Sequence, residues 1–292
     1  MSKSTQNPTQ SPAPGPTLSP RKPLNCLVIV LVIAGIAAPA TAAVTPDETD
    51  PTAIMKAVED RPTGDKSKGR MVMTIIDKSG RQRQRVVNSR ALDFAEGTRQ
   101  LMVFETPADV KGTGLLSVDY DDGNKDDDQW LYLPSLHKST RISSGEKSGS
   151  FMGTDFSFAD MTGSDPDHYT YKMLEQSVNI DGDDCWLIEA TPKTQKAKDE
   201  TGYLKTNVWV SKARLIPVQV KAWVIAGRKI KLIKFDEVKQ VDGIWTPFKL
   251  MARTLRGTEV ESTTVLQFDS LTFGNSDVTE DLFNERQLEK GL

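Results

Sequence analysis

The sequence predicts a mainly β fold in which one long antiparallel sheet curls around an apolar interior. Three observations carry this. Strand-like runs recur along residues 71–272, short turn sequences separate them, and hardly any helical periodicity lies between them. Strands joined by tight turns form an antiparallel meander, because parallel strands need a long crossover, usually a helix.

Taken in order, residues 1–23 are rich in Pro, Ser and Thr and place Arg21 and Lys22 before an apolar run at 24–38, followed by Ala40-Thr41-Ala42. A basic flank, a short apolar segment and a small-x-small site make a secretory signal peptide with cleavage expected after Ala42 or Ala43. The alternative is an uncleaved inner-membrane anchor, since 24–43 reaches the roughly 20 residues that span a bilayer. Residues 1–43 are thus expected to be an export segment, and 44–292 one domain.

Residues 47–61 read as a short helix opened by Asp50-Pro51, with Ile54, Met55 and Val58 on one face. Strand patterns follow at 71–76, 82–94, 99–106, 114–120, 129–133, 169–178, 185–191, 203–210, 216–224, 229–238, 245–256 and 259–272, with a last helical stretch at 279–290. The turns are Asp77-Lys78-Ser79-Gly80, Asp121-Asp122-Gly123-Asn124, Asp181-Gly182-Asp183-Asp184, Ala226-Gly227, Asp242-Gly243 and Arg256-Gly257. So many strands in one sheet must curl strongly or close.

Alternation gives the sheet one wet and one dry face: Lys205, Asn207 and Trp209 oppose Leu204, Thr206, Val208 and Val210, and Ile230 and Leu232 oppose Lys229 and Lys231. Two short helices cannot cover the dry face. Its interior is filled by its own side chains, by a ligand, or by the stretch 128–161, the most unusual in the chain. There a strand breaks at Pro134, a Ser-, Gly- and Lys-rich segment follows, and then Phe151, Met152, Phe156, Phe158 and Met161 crowd among Gly149, Gly153 and Gly163. Apolar residues on a Gly-rich loop form a lid over an apolar site, or a loop that folds back to cap an ordinary core. Trp130, Tyr132, Trp209 and Trp223 join these five loop residues as candidates to line the hydrophobic cavity.

Composition narrows the function. The chain carries a formal charge of −3, and loss of residues 1–42 removes Lys3, Arg21 and Lys22 and no acid, leaving −6. A mildly acidic protein is a poor nucleic-acid binder. Beyond the export segment only Cys185 remains, so no intramolecular disulfide forms, and with His137 and His168 it supplies no metal site of usual spacing. No cofactor is implied. The chain has no Gly-x-Ser-x-Gly elbow, phosphate-binding or dinucleotide glycine motif, or His-Glu-x-x-His, so a non-enzymatic role is expected. Asp126, Asp127 and Asp128 lack the spaced ligands of a calcium loop and read as a solvated turn.

The runs Trp130-Leu131-Tyr132-Leu133-Pro134, Arg141-Ile142, Gly149-Ser150-Phe151-Met152-Gly153-Thr154-Asp155-Phe156 and Ala159-Asp160 resemble the signature of LolA-like outer-membrane lipoprotein-sorting proteins. Phe104-Glu105-Thr106-Pro107, Lys111-Gly112 and Asp242-Gly243-Ile244-Trp245-Thr246-Pro247 extend the resemblance over about residues 50–290. It implies a strongly curved antiparallel half-barrel, with a few short helices and a loop as lid over a hydrophobic cavity. It further implies a periplasmic carrier that takes acyl chains of lipoproteins or lipids and helps deliver them to the outer membrane. The alternatives are an accessory lipid-binding subunit of an RND- or MMPL-type exporter, or a non-transport structural protein of the envelope. Export is checked by N-terminal sequencing of protein recovered from cells: a start at Ala43 or Val44 is expected, and a start near Met1 with recovery in membranes means an anchor.

Overall fold

The computed structural model describes residues 44–163 and 165–292; the expected export segment, with Cys26, lies outside the described residues. Among the described residues three α-helices and thirteen strands appear, in chain order α1 (Pro51–Glu59), β1 (Ser67–Asp77), β2 (Gln82–Phe94), β3 (Gly97–Thr106), β4 (Gly114–Tyr120), β5 (Asp128–Leu133), β6 (Lys138–Arg141), β7 (Tyr169–Ile180), β8 (Asp183–Pro192), α2 (Gln195–Thr201), β9 (Tyr203–Ser211), β10 (Pro217–Val224), β11 (Lys229–Val241), β12 (Ile244–Arg256), β13 (Glu259–Thr272) and α3 (Glu285–Lys290). Twelve correspond to the expected strands. The additional one is β6, whose Lys-Ser-Thr-Arg sequence carries no apolar alternation, and α2 is likewise a polar helix with only Ala197 buried. No helix among the described residues is long and apolar enough to cross a membrane.

The thirteen strands form one sheet ordered β6-β5-β4-β3-β2-β1-β13-β12-β11-β10-β9-β8-β7. Every neighbour is antiparallel, and β1 pairs with β13, so this is a meander joined at its chain ends and open only between β6 and β7. Turn chemistry fixes the hairpins. Asp181-Gly182 and Asp242-Gly243 are two-residue loops with φ values of 51° and 95°, and of 49° and 83°, the paired left-handed geometry that matches strand twist and that Gly tolerates.

The curl follows from two hydrogen bonds. Gln129 on β5 donates to the Phe158 carbonyl at 2.9 Å, and Tyr203 on β9 donates to the Asp160 carboxylate at 2.7 Å. Those strands stand nine places apart in the sheet, about 43 Å if it were flat, yet they reach groups two residues apart.

The two faces have different covers. The inner face carries Met71, Met73, Ile75, Val87, Met102, Phe104, Leu115, Ile233, Ala252 and Leu266. Toward β8 and β9 it continues as Trp186, Ile188, Val208 and Val210 under Ile54 of α1, which Asp50 caps by accepting from the Thr52 N–H. The outer face of β2–β5 is covered instead by the C-terminal segment, where Val278, Phe283 and Leu288 pack on Leu92, Leu101, Val103, Leu116 and Tyr132. A Cβ at Gly114 would stand 2.6 Å from Leu288 Cδ1, so α3 needs glycine beneath it.

On β11 the expected facing is reversed. Lys231 and Ile233 turn inward and Ile230 and Leu232 outward, because Lys231 finds a carboxylate inside. Replacing the fully buried Leu288 with Ala is expected to cost about 2–5 kcal/mol in urea unfolding, against less than about 0.5 kcal/mol for Leu174→Ala on exposed β7.

Candidate functional site

The connection from β6 to β7, residues 142–168, has to travel from one sheet edge to the other, and it does so across the inner face. Four short 3-10 turns carry it, with Met152 and Gly153 both at positive φ, 50° and 73°. That turn drops Phe151 and Phe156 into the core, 1% and 3% exposed. Phe151 lies 5.9 Å from the Phe104 ring and 5.6 Å from that of Phe158, the latter edge to face. Met152, Phe158 and Met161 pack around the same cluster half-buried.

The loop is pinned to the sheet by polar contacts. Asp155, buried beneath it, accepts from the hydroxyls of Thr254, Ser262 and Thr264, the last at 2.7 Å, and its own N–H donates to Thr264 Oγ1 at 2.9 Å. Asp160 accepts from Tyr203 and from the Lys231 ammonium, each at 2.7 Å, and Lys231 also donates to Tyr203 at 2.6 Å. Burial, followed by the nearby Asp160 charge, raises the Tyr203 hydroxyl well above its ordinary pKa, so it stays a donor. Arg85 holds the Met152 carbonyl at 2.7 Å, and the buried Lys147 pairs with Glu200 of α2. These ion pairs cost desolvation, and removing one partner would strand a charge at about 3–5 kcal/mol.

The nine sequence candidates separate accordingly. Phe151, Met152, Phe156, Phe158 and Met161 meet on the inner face, as filling rather than as the rim of an open apolar cavity. Trp130 and Tyr132 point to the opposite face, into the cluster under α3, because Trp130 shares its register position with outward Leu116. Trp209 and Trp223 also face outward, paired with Gln219 and Lys205 in a period-2 strand whose inward residues are Val208 and Val210. None of these four lines the inner core. The residues missed were the anchors: Asp155, Asp160, Lys231, Tyr203, Thr254, Ser262 and Thr264. Two acids inside an aromatic-rich run were the available signal, since a buried carboxylate requires partners.

A cavity of about 790 Å³ does lie at the open seam, but it is polar. It is bounded by the end of α1, the β4–β5 turn, Ala159, Thr162 and Gly163 of the loop, and α2. The seam is stitched by Lys196 with Asp126, by His168 Nε2 at 2.8 Å from the Gly123 carbonyl, and by the Gly163 N–H donating to Asp119 at 3.0 Å. The three aspartates expected to be a solvated turn are therefore engaged: Asp126 with Lys196, Asp127 with the Tyr120 N–H, and Asp128 with Arg141.

Burial and then repulsion from Asp119 push the Asp127 carboxyl up to about 6; burial also raises Asp119 and Glu59. Because the folded pKa of Asp127 lies above its unfolded value, its contribution to stability is full below about pH 4 and is lost as pH rises through about 6. Asp127→Asn is expected to flatten the fall in unfolding temperature between those pH values, measured by thermal melts in matched buffers.

Residues 96–290 match a family model described as an uncharacterized protein, and no curated protein matches. Among solved structures, a DUF1329 family protein from Desulfovibrio piger is 30% identical over 82% of this chain and 100% of its own, with a TM-score of 0.73. An outer membrane lipoprotein-sorting protein domain from Vibrio parahaemolyticus is 29% identical over 82% and 97%, with a TM-score of 0.72. A LolA superfamily protein from Nitrosomonas europaea shares the fold at 16% identity over 82% and 99%, with a TM-score of 0.62. The 30% identity over the full length of the Desulfovibrio piger protein places this chain in the DUF1329 family, and its curved antiparallel sheet is LolA-like in fold.

Proposed function

We propose that the protein is a periplasmic carrier that binds acyl chains of lipoproteins or lipids on the inner sheet face and helps deliver them to the outer membrane. The supporting observation is that this face is filled by the protein's own loop, seated by Phe151 and Phe156 and tied down by separate polar anchors. An apolar surface covered by a detachable segment offers an acyl chain a dry site once the segment lifts. The thioether and aromatic side chains of Met71, Met73, Met102, Phe104 and Met152 adapt to a flexible chain without demanding one shape. Glycines at 149, 153 and 163 permit the swing.

Carriage requires no bond making, and none of the anchors is needed as a catalyst in this reading. An accessory lipid-binding subunit beside an RND- or MMPL-type exporter would use the same face and differ only in its partner.

The test frees the loop without emptying the core. Asp160→Asn combined with Lys231→Met removes both charges of one anchor, avoiding the stranded ion a single change would leave. A fluorescent fatty acid is expected to bind the wild-type chain, and to enter the double variant faster. Phe151→Ala with Phe156→Ala provides the contrast: with the side chains that compete for the face removed, fatty-acid affinity per folded molecule should rise, even though the fold loses about 3–5 kcal/mol per Phe. Absence of uptake by the wild type and by the anchor variant, or unaltered affinity per folded molecule in the Phe variant, would overturn the reading.

A further inference from the structure

We propose that the outer face of β9–β12 is a docking surface for a bilayer bearing anionic phospholipid. The α3 segment covers the outer face only over β2–β5. Over β9–β12 the register arranges the outward residues in rows. Leu255, Ile230 and Trp223 lie side by side on three adjacent strands, ending at Lys205. The next row is Arg253, Leu232 and Lys221. An apolar row thus borders a cationic one about 7 Å away, the distance of two residues along a strand.

The Trp223 ring is flanked by the ammoniums of Lys205 and Lys221, each 4.8 Å from its centroid. Acids on this face occupy some of the cations, Glu189 pairing with Lys205, and Asp236 with Lys234. Lys221, Lys249 and Arg253 have no carboxylate partner among the described residues.

Charge complementarity selects the occupant. The chain as a whole is acidic, with carboxylates gathered at the seam cavity, so unpaired cations on this face form a local exception. Phosphates on a surface would meet the Arg253, Lys221 and Lys249 heads, while the aliphatic stems of Arg253 and Lys221 lie along the apolar row. An indole beside lysines suits headgroup depth, where one side is apolar and the other wet. Anionic lipid attracts such basic residues within about one Debye length. Docking by this face would bring the carrier to a membrane without using the inner face, so it stands or falls independently of acyl-chain binding.

Lysine footprinting of the full chain with an amine-reactive reagent tests this locally, whatever the N-terminal segment does. On vesicles of equal phosphatidylglycerol and phosphatidylcholine, modification of Lys221 and Lys249 is expected to slow several-fold. On phosphatidylcholine alone it should not slow, and Lys78, in the β1–β2 turn, should react equally on both. High salt should remove the protection, as should Lys221→Glu with Arg253→Glu, whose fatty-acid uptake stays that of the wild type. Equal rates on anionic and neutral vesicles overturn the proposal. So does protection that grows with protein concentration in the absence of vesicles, which would mean a second copy, or protection by a soluble acidic protein in place of lipid.

Discussion

One missing strand pair shapes this molecule. The meander is joined at β1 and β13, every other strand has two neighbours, and β6 and β7 alone remain unpaired on one side. Chain connectivity requires the β6–β7 link to cross that gap, and the gap looks onto the one large apolar face that no helix covers completely. The loop therefore does what a fourteenth strand or a core helix would do elsewhere, and its Phe151 and Phe156 supply buried area that the sheet needs.

Using a loop for this purpose brings polar backbone and acids inside. The protein satisfies them individually: Asp155 by three hydroxyls on β12 and β13, Asp160 by Lys231 and Tyr203, the Met152 carbonyl by Arg85 and the Phe158 carbonyl by Gln129. Each anchor is directional and local, unlike hydrophobic contact, which is graded and non-directional. A segment held in this way has a small number of bonds to break, and lifting it transfers apolar surface to whatever replaces it. That is the physical basis for a face able to exchange its own loop for a ligand.

The sheet's two surfaces are thereby assigned different work. Inward residues from β1 to β4 and β10 to β13 make one continuous apolar lining, while the outward residues pack under α3 on one side of the sheet and present cations and indoles on the other. Strand alternation enforces the division, because neighbouring residues cannot serve the same face.

Much of this was determined by the sequence alone. Twelve strands, the turns at Asp181-Gly182 and Asp242-Gly243, the N-terminal helix and the apolar loop all arise from local signals: period-2 alternation, left-handed turn residues, a capping Asp and a cluster of Phe among Gly. Residue motifs carried the LolA-like fold as well. Tertiary structure decided what local signals cannot encode. β6 exists only because β5 offers it an edge, and Lys231 faces inward only because Asp160, far away in the chain, meets it there. Trp130, Tyr132, Trp209 and Trp223 look like cavity residues by type, yet a side chain's face is set by register against its neighbours. Whether the loop rims a cavity or fills it likewise depends on how far the sheet curls, and that curl is a property of thirteen strands together.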